Sequence, residues 1–101
     1  MDFKHLSLIE LSDLVKSGTT NYQEIYDYFL ARTKEYNSEL TAFNTLPTVN
    51  ESVSGLPIAI KDLFCEAGIR TTASSKMLEE FVPPYESTVT KRMKEGGFVS
   101  F

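Results

Sequence analysis

The sequence has very few residues of the types that build disulfides, metal centres and histidine-based catalytic sites. Its 101 residues include one cysteine, one histidine and no tryptophan. Cys65 has no partner for an intramolecular disulfide, which is typical of a protein from a reducing compartment. Because the lone histidine is His5, near the N-terminus, the sequence predicts neither a zinc site nor a Cys–His catalytic pair. We interpret Cys65 as a small, buried apolar residue.

Excess positive charge and long apolar runs are also missing. Ten lysines and arginines stand against 14 acidic residues, for a net charge of −4. Without a polybasic run, the chain is not expected to bind nucleic acid or an anionic membrane by itself. The N-terminus lacks a long apolar run and a cleavage site, so it is expected to be neither a signal peptide nor a membrane span. We therefore expect a cytoplasmic globular protein of one domain.

Two capping patterns near the N-terminus predict a helical hairpin over about 7–37. Ser7 and Glu10 form a capping box before an apolar stripe, and Gly18 is suited to ending that first helix. Thr20 and Gln23 form a second capping box before a longer stripe that continues to about Asn37. Because the connection between these two helices is short, we expect them to pack against each other.

The region from about 41 to 101 predicts short strands and helices. In chain order we expect a β-like stretch over Thr41–Leu46, a loop over Pro47–Ser54, a strand over Leu56–Phe64, an extended segment over Ile69–Thr72 and a short helix capped by Ser74 or Ser75. A third helix over Glu86–Glu95, with Val89 and Met93 facing inward, ends at two glycines and leads into a strand beginning near Phe98. This order predicts an α/β protein: the N-terminal hairpin plus the first strands and helices of a mixed sheet, in incomplete form.

Lys61, at the end of the predicted strand, is the one candidate catalytic residue, and its chemistry alone leaves two interpretations open. A lysine at a strand end can extend into solvent and pair with Asp62 or Glu66. Alternatively, a lysine in a dry site loses its proton more readily and can act as a base toward a serine hydroxyl. Ser74 and Ser75 lie further along the chain, but both are also good helix caps.

Three motifs resemble the amidase signature family. The stretch "GLPIAIKD" at Gly55–Asp62 is similar to the family's lysine strand. Gly68–Leu78 and Phe81–Met93, which include "TTASSKMLEEFVPPYESTV", resemble most the A subunits of glutamyl-tRNA(Gln)/aspartyl-tRNA(Asn) amidotransferases. The opening helix pair is also similar, so that the resemblance covers nearly the whole chain as the N-terminal part of an amidase-signature domain, residues 1–101.

The resemblance implies a function for Lys61. Members of this family use a Ser–Ser–Lys triad, and Lys61 matches the catalytic lysine. In the A subunits this triad hydrolyses glutamine and supplies ammonia for converting Glu-tRNA(Gln) to Gln-tRNA(Gln). The two serines belong to a Gly/Ser-rich signature further downstream in the family; Ser74 and Ser75 match a different motif. The 101-residue chain is therefore expected to be inactive alone.

The resemblance also implies partners and cofactors. Glutamine would be the small-molecule substrate, and subunits B and C of the amidotransferase would be the protein partners. Transfer RNA would be met only indirectly, and no membrane is involved. No cofactor is expected in this chain, because ATP and Mg²⁺ would be used by the complex through its partner subunit.

Two departures from the family pattern keep alternatives open. A short loop at Pro47–Ser54 stands where the family has a further helical stretch, and the sequence after Gly97 reads "FVSF". We expect this end to be a fragment end, an early stop or a frameshift. One alternative is a non-catalytic interaction module that associates with a partner subunit. Another is a fragment of a general amidase that acts on small amides.

Overall fold

The first helix, α1, begins and ends where the local signals predict. The computed structural model describes all 101 residues and has α1 at Leu8–Lys16. Ser7 and Glu10 form the predicted capping box: the Glu10 amide donates to Ser7 Oγ at 3.3 Å, and the Ser7 amide donates to Glu10 Oε2 at 2.7 Å. Gly18 follows the helix with φ of 76°, a left-handed conformation that glycine adopts without strain.

The second helix, α2, spans Tyr22–Leu40 and differs from the prediction at both ends. Its N-cap is Asn21, whose side chain accepts from the Glu24 amide, whereas Thr20 uses its hydroxyl to donate to the Glu24 carboxylate. The predicted Thr20–Gln23 box is therefore wrong by one residue. The helix also continues three residues beyond Asn37, until Thr41 enters the left-handed region with φ of 48°.

The sheet is much smaller than predicted, and its two strands are parallel. Strand β1 is Pro57–Ile58 and strand β2 is Val99–Ser100, with Pro57 opposite Val99 and Ile58 opposite Ser100. The prediction of a strand over Leu56–Phe64 is wrong beyond Ile58, because the chain turns at Lys61. The beginning of a strand after Phe98 is confirmed.

The stretch Thr41–Leu46 contains no strand, so this prediction is also wrong. The left-handed Thr41 reverses the chain, and Asn37 then occupies the hydrogen-bonding groups that a neighbouring strand would need. The Phe43 amide donates to Asn37 Oδ1 at 2.8 Å, and Asn37 Nδ2 donates to the Phe43 carbonyl at 3.1 Å. These two bonds hold the segment against the end of α2.

A short 3₁₀-helix and a third α-helix complete the fold. The 3₁₀-helix spans Lys76–Leu78 with Ser75, the second of the two predicted caps, at its N-terminus. Helix α3 spans Thr88–Glu95 and begins two residues later than predicted, because Ser87 accepts from the Thr90 amide as its N-cap. Val89 is 48% exposed and does not face inward; Thr90, at 0% exposure, does.

One apolar cluster joins the helices to the sheet. Phe3, Leu11, Ile25 and Leu56 form its buried centre. These residues come from the N-terminal segment, from α1 and α2, and from the position directly before β1. The cluster therefore fixes the helices against the strand that leads to Lys61. The structure is thus α/β, with three α-helices and a two-stranded parallel sheet.

Candidate functional site around Lys61

Lys61 lies in a tight turn that follows β1. Its carbonyl accepts two hydrogen bonds, from the Leu63 amide at 2.7 Å and from the Phe64 amide at 3.0 Å. The side chain is exposed, and its ammonium forms no ion pair or hydrogen bond with another residue. No partner fixes the ammonium group, so only the point from which the side chain leaves the main chain is fixed, by the turn at residue 61.

Neither predicted partner pairs with Lys61, so that prediction is wrong. Asp62 instead accepts hydrogen bonds from Thr72 and Asn44, while Glu66 pairs with Lys94 at 3.0 Å. Both carboxylates are fully engaged by groups on other segments. Lys61 is left without a partner at the surface of the site.

The Asp62 carboxylate is the centre of a polar cluster. The Thr72 amide donates to Oδ1 at 2.8 Å, and the Thr72 hydroxyl and Asn44 Nδ2 donate to Oδ2, the latter at 2.8 Å. Partial burial disfavours the charged form, but the hydrogen bonds from Thr72 and Asn44 outweigh it and hold the pKa of Asp62 below its ordinary value of 3.8. The carboxylate is therefore ionised at neutral pH.

The partner segment of Asp62 is a β-turn in an uncommon conformation. The Ser75 amide donates to the Thr72 carbonyl at 2.9 Å, and both central residues, Ala73 and Ser74, have positive φ, 49° and 55°. Two successive non-glycine residues in the left-handed region store backbone strain, which persists only where the surroundings enforce it. Here the Asp62 carbonyl accepts from the Ala73 amide at 2.6 Å, so Asp62 contributes to enforcing the turn.

A cavity of about 910 Å³ opens beside Lys61. Its wall includes Lys61, Asp62, Asn44, Arg70 and Ser74, so that two cations and several hydrogen-bonding groups face one space. Arg70 is itself anchored: its Nη1 donates to the Asn44 carbonyl at 3.1 Å and to Thr45 Oγ1 at 2.9 Å. The volume lies within the range of small-molecule sites in proteins.

A second charged network fixes the loop after Lys61 to α3 and β2. Glu66 is 4% exposed; it accepts from Ser100 Oγ at 2.8 Å and pairs with Lys94. Lys94 also pairs with Glu86 at 2.7 Å. Burial lowers the pKa of Lys94, but the hydrogen bonds to Glu86 and Glu66 outweigh it and raise that pKa above 10.5. The network thus ties three segments around one ammonium group.

Cys65 and His5 do not form a site. Cys65 is half-buried, not fully buried as predicted, and its Sγ lies 3.6 Å from the Tyr85 hydroxyl. His5 is exposed in the N-terminal segment. No group of three or more His, Cys, Asp or Glu side chains is arranged to hold a metal ion.

The sequence interpretation missed Asn44, Arg70 and Thr72. The sequence indicates Asp62 only as an ion-pair partner, although it joins segments that lie 18 and 10 residues away along the chain. No periodicity connects such positions. The one available signal was chemical: a charged residue following an apolar stretch, with "RTT" shortly after it.

Comparison with known proteins shows the family to which this chain belongs. The sequence model of the Amidase family matches residues 13–101, which is most of the chain. The chain therefore belongs to the amidase family, as its lysine segment and the two following motifs predict.

Within that family the chain is similar to A subunits of glutamyl-tRNA(Gln) amidotransferases. The chain is 36% identical to this protein from Bdellovibrio bacteriovorus, over 98% of this chain and 24% of that protein. It is 39% identical to the protein of the same name from Synechococcus sp. (strain CC9311), over 93% of this chain and 23% of that protein. The first alignment runs over 116 positions, so the relative has residues within the aligned region that this chain lacks.

A solved structure shows the same relationship in three dimensions. The crystal structure of the glutamyl-tRNA(Gln) amidotransferase A subunit from Thermotoga maritima superposes with a TM-score of 0.82 at 30% identity, covering 99% of this chain and 23% of that one. The chain thus spans about a quarter of the length of the relatives that it matches. None of its helices combines the length and the apolar character needed to cross a membrane.

Proposed function

We propose that Lys61 is the general base of a Ser–Ser–Lys amidase site to which this chain contributes only the lysine. The observation that carries the proposal is the position of Lys61, in the family's "GLPIAIKD" motif and on the wall of a cavity large enough for a small amide. We further propose glutamine as that amide, because the relatives are A subunits of glutamyl-tRNA(Gln) amidotransferases.

In this proposal the two serines come from the part of the family domain that the chain does not include. The neutral Lys61 amine takes a proton from the intermediate serine, which in turn takes the proton of the nucleophilic serine. The nucleophile attacks the side-chain amide carbon, ammonia leaves with a returned proton, and water then hydrolyses the acyl-enzyme. Lys61 is exposed here, and a basic amine needs a drier surrounding. The rest of the domain would supply that cover.

The proposal extends to partners and location. Subunits B and C would bind the assembled A subunit in the cytoplasm, and the ammonia would be used to convert Glu-tRNA(Gln) to Gln-tRNA(Gln). ATP and Mg²⁺ would act at the partner subunit, and transfer RNA would contact this chain only indirectly. The isolated chain would have no glutaminase activity.

The test is complementation with a second polypeptide. We would mix the chain with the Thermotoga maritima A subunit lacking the quarter that superposes on this chain, and measure ammonia released from glutamine. Activity is expected in the mixture, in neither component alone, and to fall at least about 100-fold with Lys61→Ala, as for loss of a general base. Lys91→Ala, at an exposed lysine of α3, is the matched control. Glutamine hydrolysis by the chain alone, or by the Lys61→Ala mixture, contradicts the proposal.

An apolar groove favours a second candidate function, that of a non-catalytic interaction module. The groove encloses about 440 Å³ between α1, α2 and the end of the sheet, and its lining includes Leu8, Tyr36, Leu40 and Phe101. Its natural occupant is the polypeptide carrying the rest of the family domain. Binding of that polypeptide with no glutaminase activity in the mixture would favour this module. Hydrolysis of small amides but not glutamine would instead favour a fragment of a general amidase.

A further inference from the structure

We propose that Asp62 is a positioning residue for Lys61. Its carboxylate accepts hydrogen bonds from the Thr72–Ser75 turn and thereby fixes the main chain from which the lysine side chain projects into the cavity. The functional meaning of this role rests on the proposed function of Lys61, but the contacts themselves do not.

The first step of the argument is that Lys61 has no other support. Its ammonium bonds to no residue, and its own carbonyl is engaged only within the turn to Leu63 and Phe64. For a side chain without a partner, the main chain fixes the position and direction of the Cα–Cβ bond, while the bonds beyond it stay free to rotate. Whatever fixes the main chain at residues 61 and 62 therefore fixes the point from which the amine samples the cavity.

The second step is that both the side chain and the main chain of Asp62 are hydrogen-bonded to other segments. Its side chain accepts from the Thr72 amide and hydroxyl and from Asn44, and its main-chain carbonyl accepts from the Ala73 amide at 2.6 Å. A residue bonded through both its side chain and its main chain to another segment loses nearly all rotational freedom. This restriction passes directly to the peptide that joins Lys61 to Asp62.

The third step is that the cluster needs a carboxylate. Three donors converge on the two oxygens of Asp62, and an asparagine there would place its own NH₂ group against one of them. Asn44 also donates to Ser74 Oγ at 2.9 Å, so that the same cluster supports the left-handed Ser74. Loss of the charge should therefore loosen both the turn at residues 61–64 and the turn at Thr72–Ser75.

A residue that only stabilises the fold would behave differently. It would lower the resistance of the whole chain to unfolding and leave the folded molecule's local order unchanged. A positioning residue changes the order of residues 61–64 while α1 and α2 keep theirs. The compensating exchange Asp62→Asn with Asn44→Asp restores donor–acceptor pairing between these two positions only, because the Thr72 hydroxyl still faces the NH₂ group at position 62. We therefore expect it to restore part of the local order.

The experiment measures backbone ¹⁵N order parameters in the full 101-residue chain. For residues 61–64 we expect about 0.85 in the wild type and below about 0.6 in Asp62→Asn, the values of rigid and flexible backbone. The exchange variant should lie between the wild type and Asp62→Asn on the same scale. Asp13→Asn, which removes an exposed acid of α1, is the control and should change nothing.

Three results would overturn the proposal: a flexible 61–64 segment in the wild type, an unchanged segment in Asp62→Asn, or no recovery in the exchange variant. Should Asp62→Asn unfold the chain, Asn44→Ala removes one exposed donor and is expected to lower the same order parameters partially; no change there would equally overturn it. These readouts require no activity. A failed glutaminase assay would therefore reject the role of Lys61, whereas the order parameters would still decide whether Asp62 fixes the main chain.

Discussion

Gly55 lies directly against the main chain of Gly97. A β-carbon placed on Gly55 would come within 1.9 Å of the Gly97 carbonyl oxygen and 3.0 Å of its carbonyl carbon. Gly97 itself has φ of 88°, which turns the chain from α3 into β2. The close approach of these two glycines lets β1 and β2 run side by side.

We expect Gly55→Ala to destabilise the chain by at least about 2 kcal/mol, because main-chain atoms must move to admit the methyl group. Urea unfolding followed by far-UV circular dichroism would measure the change. The matched control is Gly96→Ala: Gly96 has ordinary helical geometry, and its β-carbon would meet neighbours at 3.3 Å or more. Its effect should stay within about 1 kcal/mol. Equal unfolding midpoints for the two variants would contradict this account of Gly55.

The ion pairs of Lys94 predict that removing its ammonium group destabilises the fold. Lys94→Met leaves the Glu66 carboxylate buried beside Ser100 without its cation. We expect a loss of about 1–3 kcal/mol, the cost of leaving a buried polar group unsatisfied, since Lys94 is itself partly exposed and water can replace some of the interaction. Thermal and urea unfolding measure this loss.

The control and the rescue for this network come from the same region. Lys91→Met removes an exposed lysine of α3 that has no ion pair, and should change stability by less than about 0.5 kcal/mol. Adding Glu66→Gln to Lys94→Met should recover part of the loss, because glutamine still accepts from Ser100 without a buried charge. A double variant less stable than Lys94→Met alone would show that the charge is not the cause.

The pH dependence of stability follows from the same groups. The hydrogen bonds from Lys94 and Thr90 lower the pKa of Glu86 below 4.5, and the pKa of Asp62 is below 3.8. Groups with a lowered pKa stabilise the fold fully above the unfolded-state pKa, and this contribution disappears as the pH falls through the folded-state value. Lys94 has a raised pKa, so its contribution is complete below 10.5 and disappears as the pH rises through the folded-state value.

We therefore expect the free energy of unfolding to be flat between about pH 5 and about pH 9 and to fall on both sides. Urea titrations across this range measure it. Lys94→Met should flatten the alkaline decline and weaken the acidic one, while Lys91→Met should follow the wild type. An alkaline decline that is unchanged in Lys94→Met would assign it to other groups.

The parts of the fold that the sequence predicted are those determined by neighbouring residues. The Ser7–Glu10 box and the Ser75 cap each involve residues within three positions of one another, and their geometry is confirmed. The helix signals near residue 20 were ambiguous because Thr20 and Asn21 are both good caps; Asn21 acts as the cap, and Thr20 bonds the Glu24 side chain.

What the sequence could not predict depends on contacts between distant segments. The apolar run after Leu56 favours a long strand, but only Pro57 and Ile58 find a partner in β2. The turn at Lys61 is enforced by Asp62 bonding to Thr72, a contact that no local pattern encodes. The candidate site follows the same division: Lys61 was identified from its motif, and its support from Asp62 became visible only in the structure.

Asn37 gives the last prediction, which concerns the wall of the cavity. Its side chain forms both hydrogen bonds to the main chain of Phe43, and its carbonyl accepts from the Thr41 amide at 2.8 Å. Asn37→Ala removes the two side-chain bonds and should cost about 1–2 kcal/mol. It should also increase hydrogen exchange at the Phe43 amide, because that donor loses its acceptor.

Asn37→Asp keeps the acceptor and should preserve the protection of this amide better than alanine does. Ser38→Ala, at the exposed neighbouring position, should leave both stability and exchange unchanged. Equal Phe43 exchange in Asn37→Ala and Ser38→Ala would show that the left-handed Thr41 alone holds this segment in place.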